Sequence, residues 1–92
     1  MNRVVEVRET KDGVHKWEAL FKDGTTTKFG ASGSNDYTLT GDKEARRLYR
    51  IRHRKDLDTK DPQRAGYLSY YLLWGESTSM ARNVRAFNTM FG

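Results

Sequence analysis

The sequence predicts an α+β fold in a single domain of 92 residues, with a three-stranded antiparallel meander followed by three helices packed on one face of the sheet. Two observations carry this prediction. Apolar and polar side chains alternate through residues 1–29, which is the period of a half-buried strand. Residues 41–92 instead repeat their apolar side chains every three or four positions, as a helix does. Strands and helices segregated along the chain are typical of α+β domains.

The meander is predicted from three short segments of β-type sequence joined by two turns. Trp17, Ala19 and Phe21 occupy alternate positions of the second segment, so they are expected to share one face of the sheet. The dipeptide Asp23-Gly24 is typical of a two-residue hairpin turn in which both central residues take positive φ. The predicted strands are residues 3–10, 14–22 and 25–29.

A polar loop at residues 30–38 separates the meander from the first predicted helix. This basic helix covers residues 42–55 and is expected to be capped by Thr40 or Asp42, because either side chain can accept from the first free backbone N–H groups. It is predicted to lie at the edge of the domain, while the later helices cover the apolar face of the sheet.

The second predicted helix is apolar nearly all round, which indicates burial at the centre of the domain. Pro62 is suited to its first position and Asp61 to its cap, and the helix is expected to run to Trp74. The last helix is predicted to begin after a cap at Ser77 or Thr78. Its apolar stripe consists of Met80, Val84, Phe87 and Phe91.

The composition of the chain excludes several classes of site and of segment. The net charge is +5, and residues 41–60 alone contribute +4, from eight Lys and Arg against four Asp and Glu. The chain has no cysteine, which excludes disulfides, thiolate metal ligands and thiol nucleophiles. It also has neither the apolar run of a signal peptide nor a stretch that approaches the length of a membrane span, so we expect no membrane-spanning segment.

The densest charge lies on one side of the basic helix. A wheel of about 100° per residue places Ala45, Leu48 and Tyr49 opposite the basic side chains, as an inward apolar face. Like charges crowded on one helix face repel each other, so an anionic partner, either phosphate or an acidic protein surface, would stabilise them. A plain solvated face is the alternative. The predicted partner-binding residues are Lys43, Arg46, Arg47, Arg50 and Arg54.

Arg52 is expected to have a structural role, because it projects toward the apolar side of the basic helix and is expected to pair with Asp56 one turn later.

The motif Gly30-Ala31-Ser32-Gly33 spells GxxG, which clamps nucleic-acid backbones in some RNA-binding domains between two helices. Here it follows a strand and lacks the Lys-Ser/Thr of a P-loop, so an ordinary turn is the better interpretation.

For three other groups of residues, a structural role is the favoured interpretation. The acidic connector of Asp56, Asp58 and Asp61 lacks the glycine and the closing glutamate of a calcium loop, so no metal site is predicted. The two histidines, His15 and His53, stand beside no nucleophile in the sequence, and no cofactor or catalytic residue is predicted. The aromatic stripe of the central helix could stack on bases, but packing against the sheet is favoured. That stripe consists of Tyr67, Tyr70, Tyr71 and Trp74.

Three stretches of the chain together resemble a family of small basic proteins encoded by nucleocytoplasmic large DNA viruses. They are Lys28-Phe29-Gly30-Ala31-Ser32-Gly33 with Asp36-Tyr37-Thr38, the segment from Asp42 through Tyr49 to Arg52-His53, and Ala65-Gly66-Tyr67-Leu68-Ser69 with Leu72-Leu73-Trp74. The likeness covers residues 28–92 and leaves out the preceding hairpin. It implies a virion context, with the host cytoplasm or nucleus as the place of assembly, and it transfers no catalytic residue.

These observations predict a non-enzymatic virion structural protein: a minor capsid component or an adaptor that joins capsid subunits through its basic helix. Its partners would be virion proteins with acidic surfaces, and the edge of the first strand could add to a neighbouring sheet. The alternative is a nucleic-acid-binding protein that uses the same arginines on phosphates without reading sequence. A third alternative is a modulator of a host protein. No small-molecule substrate is predicted.

Overall fold

A computed structural model describes residues 2–92, and within them a three-stranded antiparallel sheet is followed by helices, which confirms the predicted α+β class. The strands pair in the order β1-β2-β3, as a meander requires. Trp17 pairs with Phe29 across the sheet, and Ala19 and Phe21 lie on the buried face as predicted. The strands are β1 (Val4–Glu9), β2 (His15–Phe21) and β3 (Thr26–Ala31).

The turn between β1 and β2 is organised by one carboxylate. Asp12 Oδ1 accepts from the backbone N–H groups of His15 (2.8 Å) and Val14 (2.9 Å), and its Oδ2 lies 3.0 Å from His15 Nδ1. The His15 backbone N–H, followed by the His15 ring and the Val14 N–H, holds the pKa of Asp12 well below its usual range. These contacts favour the ionised carboxylate and thereby fix the turn.

The turn between β2 and β3 differs from the predicted two-residue type. Only Gly24 of the Asp23-Gly24 pair has a positive φ, at +91°, so Asp23 remains in an ordinary conformation. Gly24 N–H donates to Phe21 O and Phe21 N–H donates to Thr25 O, both at 2.9 Å, which gives a longer turn with one left-handed glycine. The Thr25 hydroxyl, and then its N–H, lower the pKa of Asp23.

A short helix occupies part of the segment that the sequence predicts as a loop. Helix α1 (Tyr37–Thr40) begins after Asp36, whose buried carboxylate accepts from Thr38 N–H at 2.9 Å. The basic helix α2 (Lys43–Arg52) follows, and Asp42 caps it by accepting from the N–H groups of its first turn. It is shorter than predicted, because the chain tightens into a 3₁₀ segment (Arg54–Thr59).

The central helix begins three residues later than predicted. Asp61 accepts from Gln63 N–H in a local turn, and the Gln63 carbonyl accepts from the Thr27 hydroxyl at 2.7 Å. Because that carbonyl is bound to the sheet, the preceding residues stay outside the helix. The helix consists of α3 (Ala65–Leu68) and a π-helical continuation (Ser69–Leu73), which together we call the central helix.

The last helix, α4 (Met80–Phe91), begins at a cap formed by Ser79 rather than by Ser77 or Thr78, since the Ser79 hydroxyl accepts from Arg82 N–H. Its predicted apolar stripe faces the core, where Phe87 is fully buried. The core lies between the sheet and the central and last helices, as expected. It consists of Val4, Ala19, Phe21, Phe29, Leu68, Leu72, Leu73 and Phe87.

Two asparagines fasten α4 to the rest of the fold. Asn83 is 3% exposed, and its amide donates to Leu72 O (2.9 Å) and Ser77 O (2.7 Å) while its oxygen accepts from Ser77 N–H. Asn88 binds the start of the sheet, because its oxygen accepts from Val4 N–H (2.8 Å) and its amide donates to Val4 O (2.9 Å). The outer edge of β1 is therefore occupied at its first residue.

Candidate functional site

Helix α2 is rotated about its axis relative to the predicted orientation. Ala45 and Tyr49 face the domain as expected, but the residues beside them on the inner side are Arg46 and Arg50, which are half-buried. Leu48 was predicted to face inward and is instead 43% exposed. Ile51, three residues further along the same face, is 61% exposed. The outward face of the basic helix is thus partly aliphatic.

The two inner arginines bind the end of the central helix. Arg50 Nη1 donates to Trp74 O at 2.7 Å and to Tyr70 O at 3.4 Å, and its guanidinium lies 4.2 Å from the centre of the Tyr70 ring. Arg46 Nε donates to Gly75 O at 2.6 Å. The last carbonyls of a helix have no intrahelical partner and carry partial negative charge, so cations are stabilised there. This is why the arginines turn inward.

The π-helical turn shapes that end of the central helix. Trp74 N–H donates to Ser69 O at 3.1 Å, five residues back, so the hydrogen-bond ladder is widened over this turn. Gly75 follows at a point where a Cβ atom would lie 2.2 Å from Tyr71 O. The close approach of the chain to its own helix brings the Trp74 and Gly75 carbonyls within reach of α2.

The outer basic residues have weaker contacts. Arg47 forms two contacts with Glu44, Nη2 to Oε1 at 2.5 Å and Nε to Oε2 at 3.0 Å. The bonds to Arg47 lower the pKa of Glu44, and the bond to Glu44 raises the pKa of Arg47. Both side chains are exposed, so water and salt screen the pair strongly. Lys43 and Arg54 are exposed and have no ion-pair partner within residues 2–92.

Four of the five predicted binding residues meet at one groove. Arg46, Arg47, Arg50 and Arg54 line an open depression of about 280 Å³ with Ile51 and Tyr70. Lys43, the fifth, lies one turn before it on α2. We call this groove, together with outward Leu48, the α2 surface. Arg46 and Arg50 are anchored there by single nitrogen atoms, and their other guanidinium N–H groups have no protein acceptor within the described residues.

A stack of three aromatic rings joins α2 to the end of the central helix. The Tyr49 ring lies between His53 and Trp74, with ring centres 4.1 Å and 4.4 Å away. Trp74 packs against the core, and Tyr67 and Tyr70 of the central helix are buried, with the Tyr67 hydroxyl donating to Leu57 O. The predicted stripe therefore packs inward and does not form an exposed stacking platform.

The Asp56 carboxylate has a different partner from the predicted one. His53 Nδ1 lies 3.0 Å from Asp56 Oδ2, and Arg52 has no carboxylate within ion-pair distance in the described part of the chain.

Across residues 2–92, no group of three or more His, Asp or Glu side chains is arranged to hold a metal ion. None of the helices described in residues 2–92 combines the length and the apolar composition of a membrane span.

Alkaline pH is expected to destabilise the fold through Tyr49. Burial, and then the charge of Asp56, raises its pKa to about 12. An unfolded tyrosine titrates near pH 10. Because the folded protein holds this proton more tightly, the contribution to stability is complete below about pH 10 and is lost as the pH rises through about 12. Denaturation midpoints across this range should fall less steeply for Tyr49→Phe than for the parent chain, and equal slopes would contradict this assignment.

Residues 5–53, more than half of the chain, match DUF5754, a family of unknown function. The chain belongs to the DUF5754 family. The DUF5754 match extends from β1 to the residue after α2, so it contains Lys43, Arg46, Arg47 and Arg50 and stops just before Arg54. It includes the strands before residue 28, which lie outside the viral resemblance, and it says nothing of a viral origin. No curated protein and no solved structure matches the chain.

Sequence reasoning missed two features of this DUF5754 domain. The first is the outward position of Leu48 and Ile51, for which the only sequence signal is that Ile51 falls beside Arg47 on the helix wheel. The second is a cavity between the end of β3 with the loop that follows it and the end of α2, where Arg52 and His53 lie near residues of the sheet. Four sequence segments form this cavity, at residue 16 and within residues 30–36, 49–53 and 69–74, so no local pattern reveals it.

Proposed function

We propose that this protein is a non-enzymatic docking protein, and that the α2 surface is the face that binds an acidic protein. The observation that carries the proposal is the exposure of Leu48 and Ile51 among Lys43, Arg47 and Arg54. Aliphatic side chains flanked by arginines are typical of protein interfaces, in which an apolar centre is surrounded by a charged rim.

The charge distribution determines the chemistry of the partner. Lys43 and Arg54 are unpaired within the described residues, and Arg47 is held only by an exposed carboxylate that a partner could replace. Carboxylates on the partner would complement these cations and would raise the association rate more than the final affinity. The partner surface we propose therefore combines Asp or Glu side chains with an apolar depression that receives Leu48 and Ile51.

The resemblance to proteins of large DNA viruses suggests that this docking surface acts in a virion. In that setting, the protein is a minor component of an icosahedral shell, which joins capsid subunits through the α2 surface. The edge of β1 contributes less than the sequence suggests, because Asn88 already occupies the backbone groups of Val4. Strand addition would have to begin beyond this residue.

Nucleic-acid binding is the second candidate, and the convergence of Arg46, Arg47, Arg50 and Arg54 on one groove favours it. Phosphates could bind the guanidinium N–H groups that have no protein acceptor, with a counterion released at each contact. Such a partner would touch Ile51 in the groove but would gain little affinity from Leu48 or Ile51, because a phosphate backbone offers these side chains no apolar surface to bury against. The aliphatic pair therefore separates the two candidates.

The test combines particle analysis with a duplex-binding assay. In purified, DNA-free shells of a virus that encodes the protein, we expect a fixed stoichiometry and chemical cross-links from Lys43 or Lys55 to a capsid subunit. The double variant Leu48→Ser with Ile51→Ser should be lost from shells while remaining folded, whereas the exposed control Arg85→Gln should be retained.

The opposite result would identify a nucleic-acid-binding protein. Micromolar affinity for random duplex DNA would then fall steeply between roughly 50 and 200 mM salt. The Leu48/Ile51 variant would bind as the parent chain does, and Lys43→Gln with Arg54→Gln would weaken binding. Absence of the protein from DNA-free shells would also reject the capsid role.

A further inference from the structure

A cavity of about 330 Å³ lies between the end of β3 with the loop that follows it, the end of α2 and the π-helical turn. We call it the loop cavity. Its ionisable side chains come from three separate parts of the chain: Lys16 on β2, Asp36 just before α1, and Arg52 with His53 at the end of α2. Leu48 and Ile51 do not line it, so it is separate from the α2 surface.

The negative charge in the loop cavity is already neutralised. Asp36 Oδ2 lies 2.6 Å from Lys16 Nζ, and Asp36 Oδ1 accepts from both the N–H and the hydroxyl of Thr38. Lys16 is an ammonium with three N–H donors, and this contact uses one of them. The pair therefore supplies donors to the cavity without presenting a bare carboxylate.

One further cation in the cavity, Arg52, faces no internal acid. Arg52 has no carboxylate partner within residues 2–92, and its guanidinium offers five N–H groups. His53 Nδ1 is bound by Asp56, which leaves Nε2 as the ring nitrogen without a protein partner in the described chain. The formal charge of the lining is +1, from Lys16 and Arg52 against Asp36. An anion is the ligand that this arrangement stabilises.

The rest of the loop cavity is suited to the organic part of a ligand. The rings of Tyr49 and Trp74 stack at 9° to each other and contribute an aromatic wall. Gly30 also lines the cavity, at φ +78°, where a Cβ atom would come within 2.9 Å of Leu73 Cδ1. Small-molecule sites begin at about 300 Å³, so the cavity is larger than a lone phosphate ion needs.

We propose that the loop cavity binds an organic phosphate of about mononucleotide size. Arg52 and Lys16 hold the phosphate, and the wall of Tyr49 and Trp74 contacts the ring or sugar. The same chemistry is presented by a free nucleotide and by the phosphorylated end of a single strand. Arg52 gives charge and two-point hydrogen bonding, which match a phosphate group better than they match a neutral ligand.

Nuclear magnetic resonance titration of the full chain tests this proposal. Adenosine 5′-monophosphate is expected to shift the backbone signals of residues 30–36 and the Trp74 indole signal. Adenosine without phosphate should bind at least tenfold more weakly. Arg52→Gln should lose about tenfold or more in affinity at an unchanged melting temperature. Arg85→Gln, an exposed arginine on α4 that does not line the cavity, should bind as the parent chain does.

The arms of the experiment separate the sources of the phosphate. A short oligothymidylate with a 5′-phosphate that binds more tightly than adenosine 5′-monophosphate would assign the site to strand ends, and the reverse order would assign it to free nucleotides. The proposal is overturned if neither probe shifts these signals at millimolar concentration, if adenosine binds equally well, or if Arg52→Gln binds as the parent chain does. None of these results bears on docking through Leu48 and Ile51.

Discussion

Replacing Gly75 with alanine is expected to lower the free energy of unfolding by about 3 kcal/mol, because a Cβ atom there overlaps backbone that cannot move alone. The added atom would lie 2.2 Å from Tyr71 O and 2.9 Å from the Asn83 side chain. Relieving the overlap displaces the Gly75 carbonyl, which is the acceptor of Arg46, and disturbs the buried amide that links α4 to the central helix. In thermal unfolding, the melting temperature should fall by more than about 10 °C.

Gly13→Ala is the matched control for that prediction. Gly13 has φ +74° in the first turn, and nothing lies within 4 Å of the position that a Cβ atom would take. Its replacement therefore costs only the strain of a left-handed alanine, about 1 kcal/mol. If Gly75→Ala proves no more destabilising than Gly13→Ala, residue 75 does not pack closely against Tyr71 O and Asn83. The close approach that brings the Trp74 and Gly75 carbonyls to the arginines of α2 would then be contradicted as well.

Arg50→Ala is expected to destabilise the protein by about 2 kcal/mol, although the residue belongs to the basic helix. The substitution removes charge-assisted bonds to the carbonyls of Trp74 and Tyr70 and the cation–π contact with the Tyr70 ring. Arg47→Ala should leave the free energy of unfolding nearly unchanged, because it loses only an exposed pair with Glu44 that water and salt screen. Urea denaturation followed by tryptophan fluorescence measures both values.

The contrast between these two arginines decides how binding data should be interpreted. A loss of partner binding in Arg50→Ala would combine a docking effect with a weakened helix end, whereas Arg47→Ala would report on docking alone. Should Arg50→Ala be as stable as Arg47→Ala, the inward guanidinium contributes nothing to the fold, and all five predicted binding residues would again be equivalent. Variants at Lys43 and Arg54 are the further probes of the surface, since both side chains are exposed.

The sheet and the last helix were predictable because their patterns are local. Alternation around Trp17, Ala19 and Phe21 reports a strand with one buried face, and the stripe that includes Phe87 reports a helix with one buried face. Each pattern depends on the hydrophobic effect acting on neighbours within a few residues. Helix α1 was missed because four residues are too few to establish a period, although Asp36 before it is a recognisable cap.

The orientation of α2 was not predictable in the same way. A helix wheel groups Leu48 with Ala45 and Tyr49, and a rule that buries apolar residues would turn Leu48 inward. The deciding interactions are instead the carbonyls of Trp74 and Gly75, which lie more than 20 residues away and are left without partners where the central helix ends. Two charge-assisted hydrogen bonds outweigh the burial of one leucine, and only the tertiary structure reveals that those acceptors are available.

The bond between Asn88 and Val4 joins positions 84 residues apart in the sequence. During translation, β1 and β2 can pair long before Asn88 has left the ribosome, so the outer backbone groups of Val4 remain open while most of the chain is being made. An open strand edge can pair with another chain, and here the amide of a late residue closes that end. Synthesis of the last helix thus completes the first strand, and a nascent chain stalled before residue 88 would expose an edge that the finished protein protects.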